Sequence, residues 1–204
     1  MKLRLSLVLI GLFAGTVHVP EAHAQIGGEL RIQGGFGGDA IATVEYSDGS
    51  DSDLKLGTYF AILAGPSLEL WTSGPNAIEL QGLVGWAGWS TGPENTDDRL
   101  SLNRFPLEAL LFYGHRFPGG GTSIRIGGGV AYHVINDVSG SGSLEGTEVG
   151  VENAAGPVAE AAVQFGIISA GLRYTQMDNT VQGVPTDLSG SSFGIFVGIT
   201  TPRS

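Results

Sequence analysis

The chain has 204 residues, no cysteine, 20 acidic against 10 basic side chains, and 34 glycines. That length suits one domain, and the absence of cysteine excludes a disulfide framework, a thiolate metal centre and an acylated cysteine at a processed N-terminus. The acidic balance argues against nucleic acid, whose phosphates need a basic surface, and leaves no polybasic patch for anionic lipids.

Lys2 and Arg4 precede a nearly unbroken apolar run from Leu5 to Phe13, and Ala22-His23-Ala24 follows with small-x-small spacing. This order reads as a signal peptide over residues 1–24, cleaved after Ala24, with residues 25–204 as the mature domain. Without residues 1–24 the formal charge is about −11. No segment reaches the ~18–20 consecutive apolar residues of a spanning helix.

From residue 25 onward the hydrophobic period is two. Leu30, Ile32, Gly34 and Phe36 share one face, with Glu29, Arg31 and Gln33 on the other. Thr58 to Leu70 sets Phe60, Ile62, Ala64, Leu68 and Leu70 against Tyr59, Ser67 and Glu69. Ile78 to Trp89 sets Ile78, Leu80, Val84 and Trp86 against Glu79 and Gln81. Phe105 to Tyr113 sets Phe105, Leu107, Ala109, Leu111 and Tyr113 against Arg104 and Glu108. Just upstream, Leu100 and Leu102 fall out of phase with Phe105, which predicts a bulge near Asn103, and Pro106 weakens this strand. Ser123 to Val134 sets Ile124, Ile126, Val130, Tyr132 and Val134 against Arg125 and His133. Pro157 to Phe165 carries Glu160 and Gln164 on its polar side, Ile168 to Gln176 carries Arg173, and Phe193 to Ile199 is the last strand. Such alternation is the signature of strands with one apolar face.

Eight strands of about ten residues match the length of tilted membrane-crossing strands. The connections support this. Residues 71–77, 114–122 and 166–167 are short, while 38–57, 90–99, 135–156 and 177–191 are long and acidic. Short turns on one side and long loops on the other are the habit of outer-membrane barrels, and both termini then lie on the short-turn, periplasmic side. The first long connection holds its own alternating piece, Ala40 to Tyr46, before the turn dipeptide Asp48-Gly49, which predicts a hairpin above the membrane. The expected fold is all-β: an eight-stranded antiparallel up-and-down transmembrane β-barrel.

In lipid the apolar face must point outward and every backbone polar group must pair within a closed sheet. The lumen then receives Glu29, Arg31, Glu69, Glu79, Arg104, Glu108, Arg125, His133, Glu160 and Arg173, with Gln33, Gln81 and Gln164. Eight strands enclose only enough room for side chains, so these charges are expected to pair as an Arg/Glu network, not to line a channel. The inverse arrangement, a soluble periplasmic barrel with an apolar core and solvated charges that binds an apolar ligand, is the main competitor.

Taken together, these features resemble the small outer-membrane barrels of the OmpA, OmpX and OmpW types, over the whole mature chain but without a diagnostic motif. The stretch RFPLEALLFY, Arg104 to Tyr113, also resembles a segment of uncharacterised proteobacterial barrel proteins. The resemblance implies outer-membrane lipid, lipopolysaccharide and the barrel assembly machinery as partners. It also implies a terminal aromatic residue that the machinery reads. Here the chain ends Thr200-Thr201-Pro202-Arg203-Ser204, so Phe193 and Phe196 would have to substitute. Phe60, Trp71, Trp86, Phe105, Tyr113, Tyr132, Phe165 and Tyr174 are the candidates for interfacial girdles.

Little in the sequence points to catalysis. Some barrels of this kind modify lipid A with histidine, and His133 with Ser123 or Glu108 is the corresponding candidate set. A hydrogen-bonded lumen histidine is the simpler reading. Asp48 to Asp53, and more weakly Glu94, Asp97 and Asp98, are carboxylate clusters without EF-hand order, so a solvated loop is expected instead of a calcium site. Gly119-Gly120-Gly121 and Gly127-Gly128-Gly129 lack the lysine and helix of a phosphate loop. No catalytic group, cofactor or metal is expected. The favoured function is a structural, envelope-integrity or surface-interaction barrel. An OmpW-like passage for small hydrophobic molecules is the alternative.

Overall fold

The structure is a computed structural model that describes residues 25–45, 51–92, 98–119, 121–135, 138–146 and 148–201. The expected signal peptide lies outside the described residues. Eight strands form the wall: β1 (Gln25–Phe36), β4 (Tyr59–Ser73), β5 (Asn76–Thr91), β6 (Arg99–Arg116), β7 (Thr122–Ile135), β10 (Ala154–Phe165), β11 (Ile168–Thr175) and β14 (Ser192–Thr200). Each pairs antiparallel with its neighbours in chain order, and β14 pairs with β1, so the sheet closes without a free edge. This is the closed, eight-stranded antiparallel barrel that the alternation predicts, and the described residues contain no α-helix.

The turns at one end are tight. Gly74 (φ +58°) and Gly166 (φ +58°) take the left-handed backbone that two-residue hairpin turns require. Gln25 and Thr200, at the two ends of the barrel wall, lie at this end with them. The opposite end carries short extra strands: β2 (Ala40–Glu45), β3 (Asp51–Lys55), β8 (Val138–Ser141), β9 (Glu148–Val149), β12 (Asp178–Asn179) and β13 (Leu188–Ser189). β2 and β3 form the hairpin read from the first long connection, while its turn at Asp48-Gly49 lies outside the described residues.

Sidedness follows the membrane rule. Leu30, Ile32, Ile62, Val84, Leu107, Leu111, Ile126, Val130, Leu172, Ile195 and Val197 all stand exposed on the outer wall. Glu29, Arg31, Glu108, Glu160 and Arg173 are buried within. A soluble barrel would have the reverse arrangement, so the competing inversion is not the one this chain adopts. The girdle candidates are all exposed. Phe60, Trp86, Phe105, Tyr132 and Tyr174 fall toward the long-loop end, with Trp71, Tyr113 and Phe165 toward the tight turns.

The expected bulge near Asn103 is absent. β5 and β6 stay in one register from Asn76↔His115 to Thr91↔Leu100. What changes at Asn103 is the environment. Leu100 and Leu102 point inward and are buried, as is Arg104, whereas Phe105 and Leu107 point outward and are exposed. The apolar face of β6 therefore switches from outside to inside where the strand leaves the lipid and enters water. The irregularity of the wall lies elsewhere, between Glu69 and Trp71 on β4. Pro106 is accommodated inside β6 opposite His133.

A closed wall of eight strands brings backbones close, and some glycines are required by it. A Cβ at Gly129 would lie 1.9 Å from the Ala109 carbonyl oxygen, whereas one at Gly82 would meet nothing nearer than 3.9 Å. Gly129→Ala is therefore expected to cost about 2–3 kcal/mol through forced backbone displacement. Gly82→Ala is expected to be neutral or to stabilise by about 0.5 kcal/mol. Urea unfolding of both variants in micelles checks the contrast, and equal midpoints would refute it.

Candidate functional site

The inward-facing side chains form successive tiers along the barrel axis. The tier nearest the tight turns holds Glu29, Glu69, Glu79 and Arg125, all buried, with Arg116 at its rim. Arg125 Nη2 lies 2.6 Å from Glu29 Oε2, and its Nη1 lies 3.6 Å from Glu79 Oε1. Gln81 donates to the same Glu29 oxygen at 2.8 Å. Arg116 pairs with Glu69, which also accepts from Thr72. The Arg125 guanidinium stacks 4.7 Å above the Phe112 ring. An open cavity of 260 Å³ enters the barrel here, lined by Glu29, Glu79, His115, Arg116, Arg125 and Gln164 among others.

The middle tier is a closed four-charge cluster. Arg31 contacts Glu160 at 2.9 Å and Glu108 at 3.1 Å. Arg173 grips Glu108 with two nitrogens, each at 2.8 Å, and reaches Glu160 at 3.4 Å. The Arg31 guanidinium also lies 4.8 Å over the Phe196 ring. These side chains come from β1, β6, β10 and β11, so the cluster spans the bore instead of lining one wall. With side-chain exposure of at most 2 % throughout, the cluster is shut off from bulk solvent. Two cations and two anions cancel, and the bidentate geometry compensates part of the large desolvation cost.

Above it lies a third tier of different character. Gln33, Tyr59, Arg104 and His133 are all buried here. Arg104 stacks 4.7 Å over the Tyr59 ring, and Gln33 Nε2 donates to the Tyr59 hydroxyl at 3.0 Å. Gly35 makes room for that ring, since a Cβ there would meet it at 2.3 Å. Unlike the other lumen arginines, Arg104 pairs with no carboxylate among the described residues.

The long-loop end is then filled with hydrocarbon. Leu54, Leu56, Leu100, Leu102, Val138, Val151, Met177 and Val181 are all buried in one cluster. The loops that supply them are bonded to each other. Glu152 N donates to Thr180 O and Gln182 N to Gly150 O, both at 2.9 Å, around the Val151↔Val181 bridge. Asp39 N donates to Ser189 O at 2.7 Å, and Ser189 N returns to Asp39 Oδ2 at 2.8 Å. This apolar cap was not read from the sequence. Its signal was the phase change at Leu100 and Leu102, together with isolated apolar residues in polar loops.

The remaining candidates separate. Ser123 lies ten residues from His133 along β7, about 33 Å in an extended strand, and both oxygens of Glu108 are held by arginines. Ser123, His133 and Glu108 therefore do not form a Ser–His–acid arrangement. Asp53 accepts from Thr43 Oγ1 at 2.8 Å and faces Lys55 at 3.8 Å, and Asp98 accepts from Ser143 N at 2.6 Å. Asp48, Glu94 and Asp97 lie outside the described residues, among which no group of three or more metal-ligating side chains occurs. Phe193 faces outward, but Phe196 is buried in the bore against Arg31, so it cannot serve as an outward-facing substitute for a terminal aromatic.

No family model matches the chain, and no curated protein matches it. Among solved structures it is similar to the outer membrane protein OprG from Pseudomonas aeruginosa. The TM-score is 0.50 at 12 % identity, over 87 % of this chain and 95 % of that one. Ail, the attachment invasion locus protein of Yersinia pestis, solved with the heparin analogue sucrose octasulfate, matches with a TM-score of 0.44. Its identity is 8 %, over 87 % of this chain and 98 % of that one. At such identities the OprG likeness is one of fold: the chain has the closed eight-stranded architecture of small outer-membrane barrels.

Proposed function

We propose that the mature chain stands in the bacterial outer membrane as a closed barrel and serves envelope integrity or surface interaction, not conduction. One observation carries this reading: the bore is crossed by two successive buried layers, the Arg31–Glu108–Glu160–Arg173 cluster and the apolar cap. An ion would have to part buried salt bridges, and the hydrocarbon layer beyond them offers it no polar partner. Lipid and lipopolysaccharide acyl chains would contact the outer apolar belt, and the bonded loops would present the external surface. The barrel assembly machinery would insert the chain.

Reconstitution tests this. The refolded chain is expected to shift mobility on heating in SDS gels, to show no steady conductance in planar bilayers, and to carry apolar solutes into liposomes no faster than protein-free controls. A stable open channel would overturn the closed-barrel reading. Protein-dependent uptake of apolar solutes without ion conductance would replace it with the hydrophobic-passage alternative.

A further inference from the structure

Arg104 stands apart from the other lumen cations. It is 2 % exposed, and its only hydrogen bond among the described residues runs from Nη2 to the Thr58 carbonyl oxygen at 3.4 Å, at the long limit for such a bond. Its Nε–H has no acceptor among the described residues, which is also true of Arg31 and Arg125; what Arg104 lacks beyond them is a carboxylate partner. The lumen carboxylates of the tier below, Glu108 on its own strand and Glu160 on β10, are committed to Arg31 and Arg173. Other buried polar atoms of the same tier also lack partners among the described residues: Gln33 Oε1, and His133 Nδ1, which donates in the Nδ1–H tautomer. His133 is 5 % exposed, has Arg104 and Arg173 as its charged neighbours, and leaves Nδ1 without a partner. The Tyr59 hydroxyl accepts from Gln33, which leaves its own O–H to donate in the plane of the ring that Arg104 covers.

A buried guanidinium without a countercharge is among the least favourable arrangements a protein interior can hold. Donors without acceptors beside it define the complement: one negative charge, small, accepting from several directions. We propose that Arg104, Tyr59 and His133 form a binding site for a small monovalent anion, a halide or a carboxylate the size of formate. The ion-pair tier below and the apolar cap above enclose this site, so the anion enters as the barrel closes and exchanges slowly afterwards. One uncompensated cation matches one charge, so a multivalent phosphate would overfill the site.

The full mature chain, refolded in detergent micelles at constant ionic strength, provides the test. Chloride and formate are compared with gluconate, which is too large for the site, and with phosphate. A site of this kind raises the thermal midpoint saturably with chloride or formate by several degrees, as binding to the folded state alone requires. Gluconate and phosphate leave it unchanged, and Arg104→Gln abolishes the chloride dependence. Crystals grown in bromide then show an anomalous peak within hydrogen-bond reach of Arg104. Equal midpoints in chloride, formate and gluconate, a dependence retained in Arg104→Gln, or stabilisation by phosphate alone would each overturn the site. If Arg104→Gln fails to refold, the bromide map of the wild-type chain decides: a peak at Arg104 supports the site and its absence rejects it.

Discussion

Glu108→Ala is expected to destabilise the barrel by about 3–5 kcal/mol, the characteristic cost of breaking a buried pair from one side. The reason is specific to this carboxylate. It receives two nitrogens of Arg173 and one of Arg31, so its removal leaves two guanidinium groups to share Glu160 at 0 % side-chain exposure. The three tryptophans, Trp71, Trp86 and Trp89, all lie partly exposed and report unfolding by fluorescence during a urea titration in micelles. A companion variant separates charge from packing. Glu108→Leu combined with Arg173→Leu removes one anion and one cation together, leaving the Arg31–Glu160 pair, and is expected to lose less than the single alanine change. A loss below about 1 kcal/mol for Glu108→Ala would mean that water or other groups compensate freely, and the tier would not be the closed layer described.

Leu56→Ala is expected to cost about 2–5 kcal/mol, but in the cap alone. Leu56 is fully buried and belongs to the first long connection, not to a barrel strand. The wall is held by its own continuous ladders, so the two units should separate on perturbation. The expected result is a variant that still shifts on heating in SDS gels, while protease cuts its external loops faster than those of the wild type. Loss of the heat shift together with the cap would show a single cooperative unit instead. Loops as resistant as in the wild type would show that Leu56 contributes little to the cap.

Where the sequence was legible, the membrane made it so. A strand between lipid and lumen must alternate, and Glu29 to Phe36 or Ser123 to Val134 declare their two faces residue by residue without reference to any partner. The lumen side of Arg31, Glu108, Glu160 and Arg173 followed from the same rule. Partnership did not. Which carboxylate each arginine meets depends on the offset between strands across the bore, and period two is silent about that offset. Arg104 therefore read as one more member of a paired network. Phe196 and Phe112 were hard to place because their neighbours are also apolar, and only the register shows that they lie under arginines. The cap was invisible for another reason. Leu54, Val151 and Val181 come from three connections and gain meaning only when the loops meet. The same lack of context made the phase change at Asn103 look like an inserted residue, when it marks a change of solvent along a regular strand.

That switch gives the protein a hydrophobic thickness of its own. On β6 the outward apolar face runs from Phe105 to Tyr113, nine residues, or about 27 Å along the strand and roughly 20 Å in height once the tilt of such barrels is allowed for. A belt of that height fits a thin bilayer. In a thicker one Ser101 and Asn103 would be dragged into acyl chains, or the lipid would have to thin around the barrel. The inward turn of Leu100 and Leu102 thus does more than fill the cap: it sets an upper limit on the membrane in which the folded barrel sits without strain.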